Sequence, residues 1–160
     1  MMYFQMNGEI NAEMEHKLID FANQVQDQPV IIILNTQGGG YFQAESIANI
    51  INGLKDVTIH VQAAYSAGFM ILHKTKCKIK LSNTCRGMWH YGTWNVSIND
   101  KAKPAYYEDE CILDCMPFHA KESRGIAKKH MNEKEFKKFL KDQNIYFTTK
   151  RMREIFADRL

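Results

Sequence analysis

Ser66 lies in Ala63-Ala64-Tyr65-Ser66-Ala67-Gly68, where small residues leave room for a carbonyl carbon to approach its hydroxyl, as a nucleophile requires. The β-branched run Val57-Thr58-Ile59-His60-Val61 precedes it and the apolar Phe69-Met70-Ile71-Leu72 follows, so Ser66 sits where a strand becomes a helix. Such a corner aims helix N-terminal N–H groups at developing negative charge. The Ala-x-Ser-x-Gly pattern is one residue from the Gly-x-Ser-x-Gly nucleophile elbow. A serine between alanines is also a common helix N-cap or tight packing point. A second feature is Gly38-Gly39-Gly40, after a buried strand. Either the backbone turns there through positive φ, or it comes close to a ligand and presents its N–H groups. The run matches neither Gly-x-Gly-x-x-Gly nor a P-loop, which disfavours a phosphate cradle.

Two further groups are candidates for chemistry. His90 closes the strand-like Gly87-Met88-Trp89-His90, in the strand unit after the one that carries Ser66, which separates it from His16, His60, His73, His119 and His130. Cys111, Cys115 and His119 recur at i, i+4 and i+8 of a helix, a span too long to close a tetrahedral metal site, with Pro117 breaking the register. Packing of these thiols in the core is the expected use, and no metal is expected.

The elements that must position these groups follow from periodicity. Tyr3 to Met6 reads as a short first strand ended by Asn7-Gly8. Asn11 caps a helix with apolar face Met14, Leu18, Phe21 and Val25, which Pro29 ends. Val30 to Leu34 is an unbroken apolar run, as in a parallel strand covered on both faces. Ala44, Ile47, Ile51 and Leu54 mark the next helix, and Val57 to Val61 completes a β-α-β unit. That crossover brings Gly38-Gly39 and Ser66 to one edge of the sheet. Cys77 to Leu81 alternates as a strand that turns at Ser82-Asn83, and 91–103 is polar and loop-like. Pro104 opens a helix running through Tyr106, Tyr107, Ile112 and Leu113, with a kink or break at Pro117 and helical character up to Met131. Asn132 caps a helix to Leu140, Lys141 to Asn144 is a polar turn before Ile145-Tyr146-Phe147, and Thr148-Thr149 caps a last helix to Phe156.

Composition narrows the class. The 160 residues suit one domain with a core of its own. The 21 Lys and Arg against 18 Asp and Glu are mostly dispersed, so nucleic acid is not implied. Four irregularly spaced cysteines fit a reducing cytosol better than a secreted disulfide framework. No leader-like start or apolar span points to a membrane.

Taken together, Asn35-Thr36-Gln37-Gly38-Gly39-Gly40 resembles the Asn-Ser-Pro-Gly-Gly-Ser loop of ClpP, the proteolytic subunit of the Clp protease. Ala63 to Gly68 resembles its Ala-Ala-Ser-Met-Gly nucleophile turn, and Leu81-Ser82-Asn83 through His90 its Leu-Pro-Asn-Ser and Ile-Met-Ile-His segments. The likeness spans nearly the whole chain, is strongest from Ile31 to His90, and includes small viral or degenerate relatives.

The resemblance implies an α/β fold of the ClpP/crotonase type, a spiral of β-α-β units with a protruding long helix after the histidine, as one peptidase domain over 1–160. It implies a serine endopeptidase with Ser66 as nucleophile, His90 as base and Asp142, ahead of Phe147-Thr148-Thr149, as the acid, with Asp114 or a backbone carbonyl as alternatives. Gly39 and Ala67 would form the oxyanion hole, Gly38 and Gly40 would line the substrate, and no cofactor is expected. It also implies polypeptide substrates and a homo-oligomeric ring built through 106–131, with Met116, Phe118, Ile126 and Met131 as contacts. Gln37 stands where the family has proline, and the Glu-Tyr-Gly-Leu-Ile-Asp ending is eroded to Glu154-Ile155-Phe156-Ala157-Asp158. The family's pore-forming N-terminal segment is essentially absent, which counts against docking of an unfoldase ATPase. Two alternatives are a catalytically silent scaffold or ring partner and a crotonase-type acyl-CoA enzyme. The Ser66/His90 pair opposes the latter, whose chemistry typically uses acids.

Overall fold

The computed structural model describes residues 1–25, 27–94 and 107–160. The expected helix start at Pro104 and Tyr106, and most of the expected loop before it, lie outside these. The chain forms two compact units, Met1–Trp89 with Ile145–Leu160, and His90–Asn144.

The first unit is built on one five-stranded sheet in the order β1 (Met2–Ile10), β2 (Val30–Gly39), β3 (Val57–Tyr65), β4 (Lys78–Trp89) and β5 (Ile145–Phe147). The first four strands are mutually parallel, and β5 runs antiparallel to β4. Helices α1 (Ala12–Val25), α2 (Tyr41–Gly53) and α3 (Ala67–Lys74) make the three crossovers. Right-handed crossovers that each advance one strand the same way wind the chain as a spiral and stack the helices on one face. Contacts agree: Phe4 of β1 meets Phe21 of α1 with ring centroids 5.1 Å apart. Ser46 of α2 hydrogen-bonds Glu15 of α1, and Lys74 of α3 pairs with Glu45 of α2 at 2.6 Å.

Side-chain alternation shows which face is covered. Val30, Ile32 and Leu34 are buried, as are Val57, Ile59 and Val61. Ile31 and Ile33 are only half-buried, so the apolar run of β2 is not covered equally on both faces as expected. Its apolar continuity overstated its burial, because the crossover helices all lie on one side.

Four strand boundaries also differ from expectation, for one reason. Neighbouring strands continue the ladder through residues whose types favour turns. β1 continues through Asn7-Gly8, with Gly8 at φ 93°, where two steps on β1 match three on β2, and runs on to Ile10, which is fully buried. β2 continues through the glycines to Gly39, paired with β1 through Glu9–Gly38 and Ile10–Gly39. β3 continues to Tyr65. β4 is one strand, not two separated by a turn at Ser82-Asn83: between Val61–Leu81 and Ala63–Arg86, two steps on β3 match five on β4. The surplus residues bulge, and pairing resumes where Cys85, Gly87, Met88 and Trp89 are buried.

An aromatic cluster gathers the end of this unit. Phe69 of α3 lies 5.1 Å from Phe147 of β5, 5.9 Å from Trp89 of β4, and 5.7 Å from Phe156, which follows α6 (Thr149–Ile155). The closing 3-10 turn, Ala157–Arg159, is tied back by Arg159, which donates to the Cys77 carbonyl and to Thr75 Oγ1 at 3.0 Å each.

In the second unit, α4 (Tyr107–His130) contains Pro117 without ending there. Of the kink or break expected at that residue, the break does not occur. Asn132 caps α5 (Glu133–Phe139) through a reciprocal box with Glu135, with bonds of 2.9 and 2.8 Å. Tyr91 stacks on Phe139 at 4.2 Å, and Ile126 and Ala127 are buried. Cys111 is exposed and Cys115 half-buried, so they do not pack in the core as expected, whereas His119 on the same helix is buried. Among the described residues no helix is long and apolar enough to cross a membrane.

Candidate active site

Ser66 stands between β3 and α3 at φ 51°, ψ −114°. A non-glycine residue in this region costs on the order of 1–3 kcal/mol and persists only where its surroundings dictate it. Here the Ser66 N–H donates to the Met88 carbonyl at 2.9 Å, and its carbonyl accepts from Met70 N–H at 3.0 Å. Its backbone is therefore held by β4 on one side and by α3 on the other. Ala67 is the first residue of α3, so its N–H has no acceptor within the helix. The corner is where the spacing of apolar residues predicts it.

The glycines of β2 divide their duties. Gly38 has φ 113°, and a Cβ there would lie 2.8 Å from the Ser66 Cβ and 3.4 Å from the Ala67 nitrogen. Gly38 thus lets β2 pass directly against the corner. Gly39, at φ 146°, faces the other way: a Cβ would collide with the backbone of Ile10 on β1. Gly40 caps α2, and its N–H donates to the Ile10 carbonyl at 2.7 Å. Thr36, nearly fully buried, accepts the Gly38 N–H on its Oγ1 at 3.0 Å. That residue was not singled out from sequence. A hydroxyl two residues before a glycine is the signal that would have marked it.

His90 and Asp142 belong to the second unit. His90 is half-buried and follows directly on β4. Burial holds its imidazole below the ordinary histidine range, opposed by a side-chain hydrogen bond with Asn144 and by the charge of Asp142. Asp142 is exposed, adopts φ 59°, and gives its N–H to the Phe139 carbonyl at 2.9 Å, closing the turn after α5. Asp142 thus acts on the ring through its charge, and Asn144 is the ring's side-chain hydrogen-bond partner. Its position next to Ile145, where β5 begins, would have pointed to it. His119 is lowered in turn by burial, raised by Glu122 and lowered again by His90, and the indole of Trp94 meets it edge-on at 5.1 Å. The structure thus gathers Gly38, Ser66 and Ala67 in one unit, and His90, Asp142 and Asn144 in the other.

No family model and no curated protein matches the chain. Solved structures do match. A ClpP1 mutant from Listeria monocytogenes aligns over 96% of this chain and 86% of its own, with a TM-score of 0.71 and 17% sequence identity. The fold is ClpP-like.

The mixed α/β fold that the resemblance implies is therefore present in a ClpP-like frame. Within it, a hydroxyl on a strained corner beside glycine backbone suits attack on a carbonyl, and a half-buried neutral imidazole suits removal of a proton. No group of three His, Cys, Asp or Glu side chains among the described residues could hold a metal ion.

Proposed function

We propose that the chain is a serine endopeptidase of the ClpP type. The carrying observation is the Ser66 corner, where a left-handed serine opens α3 directly against Gly38. In this reading the Ser66 Oγ attacks the peptide carbonyl carbon while His90 takes the hydroxyl proton. As the C–N bond breaks, the imidazolium gives that proton to the leaving amine. A water molecule, deprotonated by the same ring, then hydrolyses the acyl-serine. Gly38 and Gly40 commit their N–H groups to Thr36 and Ile10, so the oxyanion donors are assigned to Gly39 and Ala67. Gly38 and Gly40 would flank the bound peptide, and Asp142 would favour the imidazolium by its charge.

The same reading includes a homo-oligomer. Leu113, Met116 and Phe118 of α4 are exposed, Phe118 by 63%, an apolar surface that association would cover. Ile126, expected in that surface, is instead buried.

A second reading, a catalytically silent scaffold, draws support from the amide bonded to His90 where the triad pattern has a carboxylate. Hydrolysis of a disordered polypeptide separates the two. The peptidase releases peptides, and Ser66→Ala and His90→Ala each lower the rate by at least about 100-fold. Equal background rates in all three proteins would favour the scaffold.

A further inference from the structure

Lys134, Lys137, Lys138 and Lys141 recur at i, i+3, i+4 and i+7 along α5 and into the turn after it, so they share one exposed face. With Glu133 and Gln143 they line a groove of about 780 Å³, the size of a ligand site. Their aliphatic stems give it apolar walls, and their ammonium groups give it charge. Lys137 is paired with Glu133 at 2.6 Å. Among the described residues no carboxylate pairs with Lys134, Lys138 or Lys141. The stability of α5 does not account for this face, because lysines three and four residues apart repel one another. The negative end of the helix offsets that for Lys137, Lys138 and Lys141, but Lys134 stands in the first turn, at the positive end. The turn that follows is two-sided. Lys141 and Gln143 line the groove, whereas Asp142 bears on His90 by its charge and Asn144 hydrogen-bonds that ring. The groove thus ends at the residues that attend the proposed base, all within the second unit.

We infer that this groove binds an acidic stretch of a polypeptide substrate and holds it beside His90. The inference rests on the peptidase reading for calling the occupant a substrate. The ammonium groups of Lys134, Lys138 and Lys141 call for carboxylates, and the apolar walls suit the methylenes of glutamate or of a neighbouring aliphatic residue. Polypeptide is favoured over nucleic acid because no aromatic side chain lines the groove for bases to stack on. A carboxylate between Lys134 and Lys138 also relieves their repulsion. Binding of this kind contributes equally to the ground state and the transition state, so it lowers KM and leaves kcat as it is.

The test measures, by fluorescence anisotropy, binding of labelled probes to the full chain carrying Ser66→Ala, which prevents turnover. The probes are a glutamate-rich peptide, a serine-glycine peptide of the same length and a single-stranded RNA of the same charge. Expected is binding of the glutamate-rich peptide that weakens as salt rises, and that is at least about tenfold weaker when Lys134→Gln, Lys138→Gln and Lys141→Gln are combined. Combining Lys76→Gln, Lys78→Gln and Lys80→Gln, which removes the same charge from exposed lysines off α5, leaves the affinity within about twofold. With Ser66 intact, the groove variant raises KM about tenfold for a substrate with an acidic stretch, at unchanged kcat. The proposal is overturned if the serine-glycine peptide binds as well as the acidic one, if both triple variants weaken binding equally, or if the RNA binds more tightly than the acidic peptide. A groove variant that sediments with fewer associated copies at unchanged peptide affinity also overturns it, and makes the face a contact between copies. Groove-dependent binding by a chain that hydrolyses nothing would defeat the peptidase reading and uphold the acidic-peptide site.

Discussion

The serine corner and the histidine edge are held by different kinds of force. At the corner, backbone does the positioning: Ser66 is bonded at both its N–H and its carbonyl, Ala67 to Leu72 are all buried, and Gly38 touches it without a side chain. At the edge, side chains do it: His90 is half-buried, while Asn144, Asp142 and Gln143 are exposed. A backbone-built site tolerates little change and varies little in its chemistry. A side-chain-built site keeps its fold under substitution, and its proton affinity moves instead.

This contrast can be broken most severely at Gly38. Replacing it with alanine forces an L-residue to φ 113° and sets a methyl 2.8 Å from the Ser66 Cβ. The expected cost is about 2–4 kcal/mol of stability, together with loss of Ser66 reactivity. Urea unfolding would measure it, against a change below about 1 kcal/mol for Asn144→Ala. Similar small changes for both variants would mean that the corner is not over-determined.

A gentler probe is pH. His90, His119 and His60 are all held below 6.5, each chiefly by burial. On acidification the unfolded chain therefore takes up protons first, so stability present above pH 6.5 is lost as pH falls through the folded values. The base must be neutral to accept the serine proton. The acid limb of kcat/KM should accordingly have its midpoint below 6.5, in step with the His90 titration. A midpoint above 6.5 would place His90 beside a stronger charge than Asp142 supplies.

Much of the chain was legible because periodicity and small-residue spacing are local. The corner at Ser66, the cap at Asn11, which accepts the Met14 N–H at 2.9 Å, and the cap at Asn132 are short-range consequences of residue type. Strand lengths were less legible. Asn7-Gly8, Gly38-Gly39 and Ser82-Asn83 favour turns alone, but lie in strands because pairing with a neighbouring strand continues or resumes beyond them. Asn144 was illegible for a related reason: its meaning comes from the pairing of Trp89 with Ile145, 56 residues apart. Asp142 stood out as an acid in a familiar order and lies in the polar turn expected over Lys141 to Asn144, but its left-handed backbone could not be read from that order.

The most direct test of the account is to treat the folded chain with a fluorophosphonate and locate the adduct by mass spectrometry. The account predicts one modified residue, Ser66, with modification abolished in Ser66→Ala and strongly slowed in His90→Ala. An adduct elsewhere, or none on a folded protein at neutral pH, would contradict it.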